Sequence, residues 1–202
     1  MNSHNRHFIL GYGSLINSQS RAKTGETGQV WPVKLQGFER HWSVMSAEFG
    51  MSSVAVIQSP TQACNGVLVE VPVDQLPLFD ERESGYERAQ ISLSQLTAYQ
   101  DDPLPDGTYW VYHTADVVAP HSDCPIALSY VDVILSGCLE HGDAFVQDFL
   151  AQTKGWNAPL LNDRQTPRYP RVQRDLSTER LNRLLAPVTT LSTKELSVTY
   201  EP

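Results

Sequence analysis

The segment Phe8-Ile-Leu-Gly-Tyr-Gly-Ser-Leu-Ile16 constrains this chain more than any other stretch. An apolar run ends at two glycines on either side of a tyrosine, and small polar residues follow through Arg21. This pattern reads as a buried strand that delivers its end into a tight loop. Gly11 and Gly13 permit positive φ or close backbone approach, and such a turn can aim successive N–H groups at one anionic or carbonyl oxygen. The segment is read as a ligand cradle; the alternative is a glycine-rich β-turn that holds nothing.

The nucleotide and nucleophile versions of such a loop fail on their own requirements. A dinucleotide fingerprint needs glycine where Ile16 stands, and the Gly-Lys-Ser/Thr triplet of a phosphate loop is absent. A serine-nucleophile elbow around Ser14 needs glycine at positions 12 and 16, which are Tyr12 and Ile16.

Charge and composition narrow the partners. A formal net charge of −8 opposes binding to nucleic acid or to anionic membrane surfaces, which demand clustered Lys and Arg. No run approaches the ~20 apolar residues of a bilayer span, and the first seven residues lack the apolar stretch of a signal peptide, so a cytoplasmic location is expected. Cys64, Cys124 and Cys138 form no CxxC pair, so no disulfide framework is expected. The six histidines have no metal-ligand spacing, and no metal or cofactor is predicted. At 202 residues the chain is read as one domain, 1–202, with a helical part from about 126.

Strands dominate the first half. Phe8–Gly11 is the first, and Trp31–Phe38 and Arg40–Ser46 alternate around Gly37. Ser53–Gln58 and Asn65–Val71 are predicted to form a hairpin around a turn containing Pro60. Asp74–Glu83 reads as a short helix ending near Gly85, after which Tyr86–Leu93 and Tyr109–Thr114 resume strand character. From Ile126 the apolar residues take helical spacing, with a break at Gly142, and a last helix is predicted after Ser177. The proline- and arginine-rich stretch 156–172 reads as an ordered or a solvated loop, and the tail 193–202 as mobile. Strands followed by helices, without βαβ alternation, define an α+β class with a mixed sheet or small barrel.

Phe79-Asp-Glu-Arg-Glu-Ser-Gly-Tyr-Glu-Arg88 gathers four acids, two arginines and a tyrosine around one glycine. A carboxylate drawn into a partly apolar pocket becomes a usable general acid or base, whereas a solvated helix end does no chemistry. Composition alone does not choose among the four acids.

Tyr12-Gly-Ser-Leu15 after an N-terminal strand, with Arg82-Glu83 and Gly85-Tyr86 some seventy residues on, resembles the γ-glutamylcyclotransferase superfamily, particularly its ChaC-type and related bacterial members. The resemblance extends to Val67–Val71, Trp110–Tyr112, Ser129-Tyr-Val-Asp132, Gly155-Trp156 and Asn162-Asp-Arg164. It implies a small mixed β-sheet barrel with peripheral helices. In it the Tyr12, Gly13, Ser14 and Leu15 loop binds a γ-glutamyl group, and the glutamate between an arginine and a glycine-tyrosine pair moves protons. That glutamate is Glu83 here; Glu81 is the neighbour that a shifted alignment selects.

The implied reaction closes a γ-glutamyl group on itself to 5-oxoproline and expels the attached amine, with no metal, nucleotide or water consumed. Glutathione, γ-glutamyl peptides, γ-glutamyl amino acids and γ-glutamyl amines all fit, as does a non-catalytic protein that only binds such a ligand. Tyr12 is assigned a wall role, Tyr86 a hydrogen-bonding or packing role against the substrate and Tyr112 a weaker one, with plain core packing the alternative for each. Arg21, placed in the cradle segment, is ranked ahead of Arg164 and Arg168 as the partner of a substrate carboxylate. The loops 17–28 and 156–172 are expected to build the leaving-group side.

Overall fold

The structure is a computed structural model and describes residues 6–45, 47–171 and 177–189. Its sheet contains β1 (His7–Gly11), β2 (Val30–Ser43), β3 (Ser53–Val71), β4 (Glu87–Ile91), β5 (Leu96–Ala98), β6 (Thr108–His113) and β8 (Thr153–Lys154). Its order is β4-β6-β1-β3-β2-β5, and β8 also pairs with β2. The helices are α1 (Ser18–Ala22), α2 (Leu76–Arg82), α3 (Leu128–Leu139), α4 (Asp143–Gln152) and α5 (Thr178–Leu185). β7 (Ile126–Ala127) and β9 (Leu160–Leu161) form a separate parallel pair.

The α+β class and mixed sheet agree with the sequence, but the sheet does not close into a barrel. Closure needs strands that stagger along their whole length. The far edge carries only the 3 residues of β5 and the 2 of β8, which never meet β4.

Two further expectations are corrected. The segments on either side of Gly37 are one strand, β2, and the hairpin around Pro60 is one strand, β3. Gln36 faces Ala63 and Phe38 faces Gln58, so residues 59–62 bulge out opposite Gly37, whose φ is +88°. Pro60 lacks an N–H and sits where the ladder makes no demand for one.

β1 is apolar on both faces because both are covered; Phe8, Ile9 and Leu10 are buried. It runs antiparallel to β3 and parallel to β6. At Gly11 it stops while both neighbours continue, and beyond it the end of β6 reaches β3 directly through Thr114 N–H to the Val56 carbonyl, 3.0 Å. The loop after β1 fills the wedge between them.

The predicted helices are present. Gly142 (φ +96°) separates α3 from α4 as expected, and α5 follows Ser177, whose hydroxyl makes no capping bond. α3 packs on the cradle's rear at Gly137, where a Cβ would stand 2.4 Å from the Asn17 nitrogen. Cys64, Cys124 and Cys138 are free and buried. His4, Ser46, Val172 and the tail 193–202 lie outside the described residues.

Candidate active site

Gly13, Ser14 and Leu15 open a single 3-10 turn, Ser14–Ile16, closed by Ile16 N–H to the Gly13 carbonyl at 2.9 Å. The first N–H groups of such a turn have no partner within it. Those of Gly13, Ser14 and Leu15 meet no acceptor among the described residues, which leaves a row of main-chain donors at the cavity wall. Gly13 is required by crowding: a Cβ there would lie 2.7 Å from Val54 Cγ2 and 3.0 Å from the Tyr130 hydroxyl.

Two arginines hold this turn from behind. Arg21 donates from Nη1 to the carbonyls of Leu15 (2.7 Å) and Ile16 (3.0 Å). Arg40, fully buried, donates to the Tyr12 carbonyl (3.3 Å), to the carbonyl and Oδ1 of Asn65 (2.6 and 2.8 Å) and to Thr153 Oγ1 (2.7 Å), and lies 3.9 Å above the Phe149 ring. Burial lowers the pKa of both guanidiniums. Arg21 is therefore a brace of the loop and is not among the residues that line the cavity.

The cavity has a volume of about 510 Å³, within the ~300–1,000 Å³ range of small-molecule sites. Tyr12, Gly13, Ser14, Leu15, Glu83 and Tyr86 all line it, so the structure brings together every residue singled out for the site except Arg21. Tyr112 and Glu81 also reach it.

Glu83 caps the C-terminus of α2, and its carboxylate accepts from Arg82 Nε at 2.8 Å; the two side chains are only 16% and 15% exposed. The same guanidinium donates from Nη2 to Ser14 Oγ at 2.9 Å and from Nη1 to Thr24 Oγ1. One planar group thus fixes the carboxylate against the cradle.

Tyr12 donates its hydroxyl to the Tyr112 carbonyl (2.7 Å), and Tyr86 lies against Ser53 Oγ (3.3 Å) and the Val54 carbonyl (3.4 Å). Burial is the main cause of the raised pKa of both phenols, so they stay protonated donors near neutrality; Glu83 adds to it in each.

The stretch 156–172 proves ordered where it is described. Asp163 accepts from Ser129 N–H (2.8 Å), Ser129 Oγ (2.6 Å) and Arg168 N–H (2.8 Å), and Arg164 grips Asp132 at 2.6 and 2.7 Å. Asp163 so caps α3 from outside and carries Tyr169, Pro170 and Arg171 to the cavity. Tyr169 meets Tyr130 edge-on, ring centres 4.7 Å apart. Arg164 is committed to Asp132, and Arg168 donates to the Gly50 carbonyl.

Sequence reasoning missed Arg171, Tyr130, Tyr169 and the bracing by Arg40. The only local signal for Arg171 and Tyr169 was the density of arginine and aromatic residues in 156–172. Among the described residues no group of three or more His, Cys, Asp and Glu is placed to hold a metal, and no helix is long and apolar enough to cross a membrane.

No protein-family profile and no curated protein matches the sequence. Solved structures match the fold. A γ-glutamyl cyclotransferase aligns with a TM-score of 0.53 at 16% identity, over 69% of this chain and 86% of its own. An uncharacterised protein from Homo sapiens gives 0.52 at 17% identity, over 70% and 87%. YkqA from Bacillus subtilis gives 0.50 at 17% identity, over 76% of this chain and 57% of its own. The chain has the γ-glutamyl cyclotransferase fold. A fold hosts many chemistries, so the activity rests on the site.

Proposed function

We propose that the protein is a γ-glutamylcyclotransferase that converts a γ-glutamyl peptide, with glutathione as the first substrate, to 5-oxoproline and the free amine. The observation that carries this reading is the single Arg82 guanidinium bonded both to the Glu83 carboxylate and to Ser14 of the cradle.

The bond that forms joins the substrate's α-nitrogen to its own γ-carbonyl carbon, and the bond that breaks is the γ-amide. Nucleophile and electrophile share one molecule, so holding a folded conformer supplies much of the rate; effective molarities of about 10⁵ M are reached by well-oriented intramolecular reactions. The main-chain N–H groups of Gly13, Ser14 and Leu15 suit the charge that develops on the γ-carbonyl oxygen. Glu83 accepts a proton from the α-ammonium and delivers it to the departing nitrogen. The second proton leaves as the ring closes and is regained by the freed amine through solvent. No water is consumed and no cofactor takes part.

The test is 5-oxoproline release from glutathione, measured beside Glu83→Gln. Release by the native protein, with a ~10²- to 10⁴-fold loss in a folded variant, is the expected result. Absence of release from glutathione and from a panel of γ-glutamyl amino acids and amines overturns the proposal.

A further inference from the structure

Arg171 is placed unlike the other arginines around the cradle. Arg40 is saturated by carbonyl, amide and hydroxyl oxygens behind the loop, Arg164 is paired with Asp132, and Arg21 spends its Nη1 on the Leu15 and Ile16 carbonyls behind the loop, away from the cavity. Arg171 lines the cavity and uses only Nη1, on the Ser20 carbonyl (2.8 Å) and Thr24 Oγ1 (2.7 Å). Its Nη2 and Nε meet no acceptor, and its guanidinium meets no carboxylate within 4.0 Å, among the described residues. Burial and then the neighbouring charge of Arg82 lower its pKa, against smaller opposing effects of Tyr169 and Glu83. A half-buried guanidinium with one edge anchored and the other open is a receptor for a planar anion.

Its position says which anion. Ser14 Oγ accepts from Arg82, Arg82 and Arg171 both donate to the Thr24 hydroxyl, and Glu83 sits on Arg82 Nε. The γ-glutamyl head must place its α-nitrogen and its departing nitrogen at Glu83, beside the cradle. Arg171 stands one guanidinium and one hydroxyl further along this wall from Glu83. We propose that the leaving group lies on this side of Glu83 and that Arg171 receives a carboxylate it carries, so that the site selects γ-glutamyl amino acids and peptides over γ-glutamyl amines that lack one. This inference rests on the cyclotransferase reading and names the side of the substrate that the reading leaves open.

The test compares γ-glutamylalanine with γ-glutamylethylamine, which differ only in the leaving-group carboxylate, for the native protein, Arg171→Met and Arg171→Lys. The native protein is expected to favour the alanine compound at least ~10-fold in kcat/KM. Arg171→Met should erase most of that preference, mainly through KM, and Arg171→Lys should restore part of it, its ammonium being a point charge without the fork. Thermal unfolding of the variants separates a lost contact from a lost fold, and Arg171→Lys carries the comparison if Arg171→Met does not fold. An unchanged preference, or an equal loss on both compounds, overturns the proposal; equal loss would assign Arg171 to the α-carboxylate that both share. Calorimetric binding of the two compounds distinguishes the failures. Arg171-dependent preference in binding without turnover keeps the carboxylate site and removes the cyclotransferase reading. Binding of neither compound removes both.

Discussion

Arg82 donates from Nη2 to the Oγ of Ser14 at 2.9 Å across 68 positions of sequence. Its Nε reaches the adjoining Glu83 carboxylate at 2.8 Å, so the end of α2 and the loop after β1 share one rigid plane of atoms. The distance between the Glu83 carboxylate and the loop at Ser14 is therefore set by the Arg82 side chain.

Arg82→Met should lower kcat/KM by about 100-fold, the scale of a reacting group displaced by about 1 Å. Arg82→Lys should recover only part, because an ammonium cannot span Glu83, Ser14 and Thr24 as the planar fork does. Steady-state kinetics with a separate kcat and KM, beside thermal unfolding, checks this. Equal activity of Arg82→Met and native protein would show that Glu83 positions itself without it.

Gly13→Ala places a methyl 2.7 Å from Val54 Cγ2 and 3.0 Å from the Tyr130 hydroxyl. The strand end must move or the core must overpack, and a loss of about 1–3 kcal/mol in urea unfolding is expected. Loss of ligand binding should accompany it, since the main-chain donors shift with the backbone.

His141, between α3 and α4, has an Nε2 without a hydrogen-bond partner among the described residues. Burial, and then the charge of Arg21, hold its pKa below the ordinary 6.5. The unfolded chain takes up a proton there sooner than the folded one as pH falls. Its contribution to stability is thus complete above about pH 6.5 and is lost as pH drops through the lower folded value. Urea midpoints measured from about pH 8 to about pH 5 should fall less steeply for His141→Gln than for the native protein. Parallel slopes would remove His141 as the cause.

The first strand and its tight loop were legible because a both-faces-buried strand writes an unbroken apolar run, and Phe8 to Leu10 ends at glycines that a crowded turn requires. α3 and α4 were legible because their apolar residues recur at helical spacing, with Gly142 between. β3 was not, because Pro60 breaks a strand locally, and only the partner at Gly37 shows that the ladder resumes beyond it. The failure to close into a barrel depends on the lengths of β5 and β8, which no motif records. Arg171 lines the cavity and Arg21 does not for a similar reason. Nearness to the cradle in sequence put Arg21 behind it, whereas Arg171 reaches the cavity through an Asp163 clasp on α3 formed across 34 positions. Glu83 was distinguished from its acidic neighbours by family resemblance and not by local chemistry.

On the proposed function, the loop at Gly13, Ser14 and Leu15 addresses its ligand with amide hydrogens of the main chain. A side-chain contact disappears with a single codon change, but an amide N–H survives every replacement except proline. The two halves of the cavity therefore differ in how they yield to mutation. Recognition of the head group is heritable in the course of the backbone and resists drift at positions 14 and 15. On the proposed role of Arg171, preference for what is attached to it hangs on one side chain, so homologous chains should diverge in leaving group long before they diverge in head group.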